Sequence, residues 1–396
     1  MPEEVRGQGE YGLGIRTLIP VLKTECNMSE KRIVGFFQNV GINVSPTYLS
    51  QQWTSGYDIF HLEKSDLYRT GIIESDSIQI DDTGARVNGM NYYCQIVCSS
   101  LFTAYFTTLK KDRLSVLDVL TDFSPPQYLY NQHAQKLLTT FKLTGKALVS
   151  IDSQLPFDAV MSDTEFKVHL SCLKTLSHRQ VIHLTEACAI AHYQQQTEFP
   201  VIDILLSDNA PQFKLITQWH GLCWVHDGRH YKKLNPLIPI HQQALANFSS
   251  LYWEYYTELL KFKLHPTVAR KLTLETEFIE LFSMTTGYKD LDERIAKTLD
   301  KKTELLLVLN FPKLPLHNNE AELAARVQAR SRDTSYQTRS DPGTSIKDVF
   351  MSINQTAKKL GVSFYAYVHD RVTGKYELPS LTELMIQKAQ SARVCS

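Results

Sequence analysis

Apolar residues recur along this chain with two different periods, and the places where the period changes divide it. From 12 to 70 the spacing is helical: Ile33, Val34, Phe36 and Phe37 form one apolar stripe behind Ser29, which stands where an N-cap would accept a backbone N–H. "NVGIN" (39–43) reads as a glycine turn, and Ser45-Pro46 as a cap followed by proline at the first helical position. A helix, a short glycine turn and a second capped helix outline either a helix-turn-helix or a plain helical hairpin.

The period shortens between 77 and 109. "SIQIDD" predicts a short strand ending in acids, and "MNYYCQIVCSS" and "LFTAYFTTLK" are rich in aromatic and β-branched residues. Together they predict a three-strand antiparallel meander, joined through Gly84 and Gly89 and then near Ser99-Ser100. Cys94, Ile96 and Cys98 share one strand face, where small buried hydrophobes are expected. A helix starts at Arg113 to Leu120, and helical segments fill 125–198, whose histidines are expected on the surface or in packing. "FPVIDILLSDNAPQF" (199–213) is a nearly continuous apolar run ending in Ser-Asp-Asn, which suits a strand buried on both faces. A second short strand, "GLCWVH", leads into a basic helix beginning near Arg229. Residues 236–302 are helical with aromatic clusters. Then come the apolar "TELLLVLNFPKLP", a short helix in "LHNNEAELAAR", a Ser/Thr/Asp/Gly loop (331–345) and a helix over 346–360.

Composition changes this picture little. The 396 residues carry 42 Lys+Arg and 42 Asp+Glu, a formal charge of zero, so nucleic acid would have to meet local basic patches and not the whole surface. Seven cysteines, at 26, 94, 98, 172, 188, 223 and 395, make no small disulfide framework, and reduced thiols in the cytoplasm are the expectation. The first twenty-odd residues are charged and broken by glycines. They make neither a signal peptide nor a membrane span, and no later apolar run approaches the roughly 18 residues a span needs.

Candidate chemistry lies in three acidic spots: Asp81 at the end of one strand, Asp208 at the end of another, and Glu320 or Glu322 at the start of a helix. Carboxylates arriving from separate elements are what two divalent cations need to activate a phosphodiester. Each has a plainer alternative: a strand end entering a turn, a helix cap, and a first-turn acid favoured by the helix dipole. The pleat sets Asp81 on one face with 77 and 79 and Asp82 on the other. Asn319, Glu322 and Arg326 share one helical face, with Glu320 turned away. Cys223-x-x-His226 has the spacing of half a zinc site, without a convincing second half. Arg326, Arg330, Arg332 and Arg339 form the clearest basic cluster, either a phosphate grip or a solvated face.

Several blocks resemble the insertion sequence 66 family of DDE transposases. Asn318-Asn319-Glu320-Ala321-Glu322, Ser340-Asp341-Pro342-Gly343 and "TAKKLGVSFYAYV" (356–368) look like its C-terminal signature. "IDDTGARVNG" (80–89) is similar to its first-aspartate segment, and "LLSDNAPQF" followed by "LCWVHDGRHYKKL" to its second. The resemblance implies an RNase H-like mixed-sheet α/β core and a triad of Asp81, Asp208 and Glu322 that holds Mg²⁺ or Mn²⁺. It also implies DNA contacts at His226, Arg229, Asn319, Arg326, Arg330 and Arg332. Where the family has two consecutive basic residues, this chain has Gly228 before Arg229.

The implied organisation is an N-terminal helical domain (1–75), core segments at 76–124, 199–235 and 313–396, and helical insertions at 125–198 and 236–312. The implied function is DNA transposition, meaning cleavage and strand transfer on transposon ends and target DNA, as a homodimer on DNA and with accessory element-encoded proteins. Family members carry an N-terminal coiled coil, zinc-binding module and DNA-reading motif that this chain begins after, so end recognition would be weak or supplied by another polypeptide. Two alternatives remain: a catalytically inactive DNA-binding regulator derived from a transposase, and a related RNase H-like nuclease.

Overall fold

The structure, a computed structural model, describes residues 11–143 and 145–394. The charged start of the chain (1–10) and Cys395 lie outside the described residues. In chain order the elements used below are helices α1 (Leu13–Pro20), α2 (Glu30–Asn39), α3 (Pro46–Thr54) and α4 (Asp58–Glu74); strands β1 (Ile78–Val87), β2 (Met90–Cys98) and β3 (Thr103–Thr108); α5 (Arg113–Leu120), β4 (Gln127–Leu129), β5 (Val160–Ser162) and α6 (His178–Gln195); β6 (Ile204–Ser207), β7 (Trp219–Leu222) and α7 (Trp224–Tyr231); and α8 (Pro239–Leu264), α9 (Val268–Phe282), α10 (Lys289–Leu299), α11 (Asn319–Ser335) and α12 (Asp341–Lys359). Five strands form one mixed sheet in the order β3-β2-β1-β6-β7, and β4 with β5 form a separate two-stranded ladder.

Contacts divide the chain into two compact units. Met1–Ser75, Ile80–Val201 and Glu320–Ser396 make the first, and Asp76–Gln79 with Ile202–Asn319 make the second. In the first, α3 is capped by Ser45, whose hydroxyl accepts the Tyr48 N–H at 3.1 Å. Ser29 precedes α2 without a side-chain cap bond, and of the expected stripe Ile33, Val34 and Phe37 are buried while Phe36 is exposed. Phe350 of α12 gathers the helical part, with Trp53, Tyr57 and Phe60 rings at 5.5, 4.9 and 5.1 Å.

β3 is an edge strand, and an edge strand has N–H groups with no strand to receive them. Here α12 receives them. The N–H groups of Thr103, Tyr105 and Thr107 donate to Thr356 Oγ1 (3.1 Å), Ser352 Oγ (2.9 Å) and Asp348 Oδ2 (2.6 Å). Every second residue of a strand faces this way, and every fourth residue of a helix returns to one face. The two repeats are both close to 6–7 Å, so three polar residues on an otherwise apolar helix face stay in step with the strand. On the other side β3 pairs antiparallel with β2, from Tyr93↔Thr108 to Cys98↔Thr103.

In the second unit β6 pairs parallel with both neighbours, through Ile78↔Leu205 and Gln79↔Leu206 and from Ile204↔Trp219 to Ser207↔Leu222. Its core is aromatic. Trp224 lies 5.5 Å from Tyr252 and 5.6 Å from Tyr255, and its indole N–H donates to Leu305 O at 2.8 Å.

Several elements differ from the sequence expectation. β1 does not end at its acids but runs on through Asp81, Asp82 and Gly84 to Val87, and the turn falls at Asn88-Gly89, both with positive φ (46° and 78°). Local Asp and Gly preferences lose to continuous strand pairing. β6 spans four residues where a longer run was expected, and α7 begins at Trp224, ahead of Arg229. The expected loop at 331–345 is mostly helix, because α11 extends to Ser335 and α12 starts at Asp341. Buried Gln328 and Ser331 and the Arg332 bond to Gly84 O (2.7 Å) hold the added turns against the strand. The mainly helical segment after Pro125 also contains the β4–β5 ladder.

Candidate functional site

In the first unit the strand pleat fixes which acid of β1 looks where. Asp81 alternates with Thr83, Ala85 and Val87, and Ala85 packs in a cluster with Cys94, Ile96 and Tyr105 and with Ala324 of α11. α11 therefore lies over the sheet face to which Asp81 belongs, tied there by the Tyr105 hydroxyl donating to Ala324 O at 3.1 Å. Asp81 is half-buried, and its Oδ1 accepts the N–H of Asp82 at 2.8 Å. Asp82, on the opposite face, pairs with Lys111 at 3.3 Å.

The two glutamates at the start of α11 separate in the same way. Glu320 accepts from Lys359 Nζ at 2.7 Å, an ammonium that also caps the carbonyls of Ser99 and Phe102. Glu322, half-buried, flanks the face formed by Ala321, Ala324, Gln328 and Ser331. Arg326 and Arg330 are exposed, as is Asn319 at the start of the helix, while Arg332 is partly occupied by the Gly84 carbonyl.

In the second unit Asp208 follows the last residue of β6. Its Oδ1 accepts the Ala210 N–H at 2.9 Å, an Asx turn that leads the chain out of the strand into the Pro211–Phe213 turn. Asp208 lies two residues beyond Leu206, and Asp81 lies two residues beyond Gln79, the strand partner of Leu206. Behind Asp208, the Ser207 hydroxyl donates to Asp208 O (2.6 Å) and meets His220 Nε2 at 2.8 Å. Burial holds the His220 imidazole down at about 4, with Lys214 adding to the effect, so the ring is neutral.

α7 carries His226 and Arg229, whose Nε2 and Nη1 are 3.0 Å apart, both half-buried. Its buried side is fixed by Asp227, which accepts from Lys301 Nζ (3.0 Å), Thr298 Oγ1 (2.8 Å) and Arg294. The Tyr252 hydroxyl donates to Trp224 O at 2.9 Å. A Cβ on Gly228 would stand 2.8 Å from the Trp253 ring, so the basic residue of the family pattern has no room here. Cys223 is buried, and its sulfur accepts the Asn318 N–H at 3.3 Å.

His220 and Asp227 were not singled out from sequence. Asp227 is the one acid in "CWVHDGRH", but nothing local marks partners as distant as Arg294 and Lys301. His220 lies within a strand too short to show a period.

Residues 190–346 match the transposase IS66 family. A Sinorhizobium fredii (strain NBRC 101917 / NGR234) protein, "Uncharacterized protein y4jO", is 29% identical over 314 residues, covering 77% of this chain and 94% of its own length. Among the described residues no helix is long and apolar enough to cross a membrane.

Proposed function

We propose, for a chain whose residues 190–346 carry a transposase domain of the IS66 family, that it cleaves DNA strands and joins the freed ends to a target. The family match carries this reading. Asp81, Asp208 and Glu322 are its catalytic carboxylates, within an RNase H-like core, and DNA is its partner, bound by a homodimer. An antiparallel trio of strands followed by two parallel ones supports the core assignment.

The donor set fits hard divalent cations, since half-buried carboxylate oxygens are what Mg²⁺ or Mn²⁺ takes. Bound there, two such ions would neutralise the phosphodiester oxygens and lower the pKa of an attacking water or 3′-hydroxyl. The chain's own groups do the rest. The exposed Arg326 and Arg330, with Arg229 beside His226, hold backbone phosphates and fix the register of the strand without reading its sequence. The Asp208 turn and the neutral His220 behind Ser207 keep the end of β6 in one conformation.

Asp81→Asn and Glu322→Gln should each lower Mn²⁺-dependent nicking of candidate element ends by roughly 100-fold or more, with DNA binding and circular dichroism preserved. Full activity in both variants refutes the triad. A wild-type chain that shifts these DNA ends without nicking them is a binder, and preferential cutting of branched or hybrid substrates makes it a nuclease of another kind.

A further inference from the structure

A cavity of about 210 Å³ lies where α5, the Pro125-Pro126 break, β4 and the C-terminal end of α6 meet, wholly within the first unit. Its lining includes the aromatic residues Tyr128, Tyr193 and Phe199 with His192, and its acids are Asp118 and Glu198; Tyr128 stacks on Phe166 at 4.1 Å. No lysine or arginine lines it. Among the described residues no side chain pairs with the Asp118 carboxylate, although burial raises that group above its ordinary range. Phe199 already receives one cation on its ring, the Arg69 guanidinium at 5.5 Å.

The larger cavity of the same unit, about 390 Å³, is chemically different. Its Asp122 accepts from Ser65 at 2.6 Å and its Asp348 from Thr107, and it contains its own ammonium, Lys64, 3.9 Å over Phe106. The charges there are answered from within. In the smaller cavity the Asp118 carboxylate is not, whereas Glu198 acts on the neighbouring His192 and its backbone carbonyl accepts from Arg69 at 3.0 Å.

We propose that the cavity between α5 and α6 binds an organic cation, an alkylammonium or guanidinium group, with the aromatic rings facing its body and Asp118 taking its N–H donors. Aromatic faces attract cations, and an unpaired, partly desolvated carboxylate gains from one. The same two carboxylates repel phosphate, so this pocket is not part of the DNA grip and does not depend on the triad. A free polyamine and an arginine or lysine side chain of a protein partner offer the same chemistry.

Isothermal titration of the full chain with agmatine and with spermidine, against neutral N-butylurea, tests the idea. Either cation should bind saturably and the urea should not. Asp118→Asn should weaken the cation by roughly ten-fold or more. Ser124→Lys, at an exposed rim position, should abolish binding by placing a tethered ammonium over the mouth. Arginine- and lysine-containing tripeptides that bind more tightly than agmatine identify a protein side chain as the source, and weaker binding identifies a free cation. Equal binding of the urea, no saturation with either cation, or unchanged affinity in both variants overturns the proposal. DNA nicking should be unaffected by Ser124→Lys.

Discussion

In the first unit Asp348, Ser352 and Thr356 give their oxygens to the N–H groups of an edge strand; in the second, Asp227 sits between Arg294, Lys301 and Thr298. Both are buried polar devices on helices, yet they solve different problems. The α12 residues satisfy backbone dipoles that no other strand reaches, and each N–H needs only one oxygen. The α7 aspartate has to balance two cations that its own helix does not supply. A chain can therefore afford to lose one member of the first device more easily than the centre of the second. A buried N–H left alone costs a few kcal/mol, whereas a buried charge left alone costs more.

Asp227→Ala should sharpen the contrast most. It strands Arg294 and Lys301, both largely buried, and should destabilise the second unit by roughly 3–5 kcal/mol. Hydrogen exchange should show lost protection in α7 and α10 with the β2–β3 pair unchanged. Uniform loss across both units would deny that the device is local.

Two buried groups, one in each unit, should respond to pH with opposite sign. Burial pushes the Glu63 carboxyl of the first unit up to about 7, against the pull of Arg371. Between its ordinary 4.5 and about 7 the folded state keeps a proton that the unfolded chain releases, so stability falls as pH rises through that window, by about 3 kcal/mol in all. His220 in the second unit behaves in reverse. Between 6.5 and about 4 the unfolded chain binds a proton that the folded ring refuses, so stability is lost as pH falls, again by about 3 kcal/mol. Amide protection followed from pH 4 to 8 should show both limbs. Glu63→Gln should flatten only the first and His220→Gln only the second; a limb that survives its own substitution has another origin.

The smallest effect belongs to the strand edge. Ser352→Ala leaves the Tyr105 N–H without its acceptor, at about 1–3 kcal/mol. Chemical denaturation should find it milder than Asp227→Ala. The reverse ranking would break the comparison.

Much of the sheet was legible from sequence. Strands were expected near 77, 91, 101, 201 and 222, and they start at 78, 90, 103, 204 and 219. Apolar runs of strand length mark them, because a buried strand must be apolar whatever its neighbours. The pleat separated Asp81 from Asp82, and the spacing of the resembled family signature, with helical periodicity agreeing in part, chose Glu322 over Glu320. Less legible were the extents of elements. Asp-Asp-Thr-Gly reads as a turn, yet β1 passes through it, and 331–345 reads as a loop, yet α11 and α12 fill most of it. The sheet order was likewise not readable, since β1 meets β6 across more than a hundred intervening residues.

The amino-acid sequence by itself determined where helices and strands could form, which of two neighbouring acids takes which face of a strand, and which family's pattern the blocks follow. Those are properties of period and residue type, which are local. Tertiary structure alone decided that three polar residues on α12 would serve β3, that Asp227 would hold two distant cations, and that His220 would be neutral beside Ser207. It also left an aromatic cavity with an unanswered carboxylate at Asp118. Hydrogen-bond partners and burial are set by what the chain brings together from far along its length, and one stretch of sequence contains no record of them.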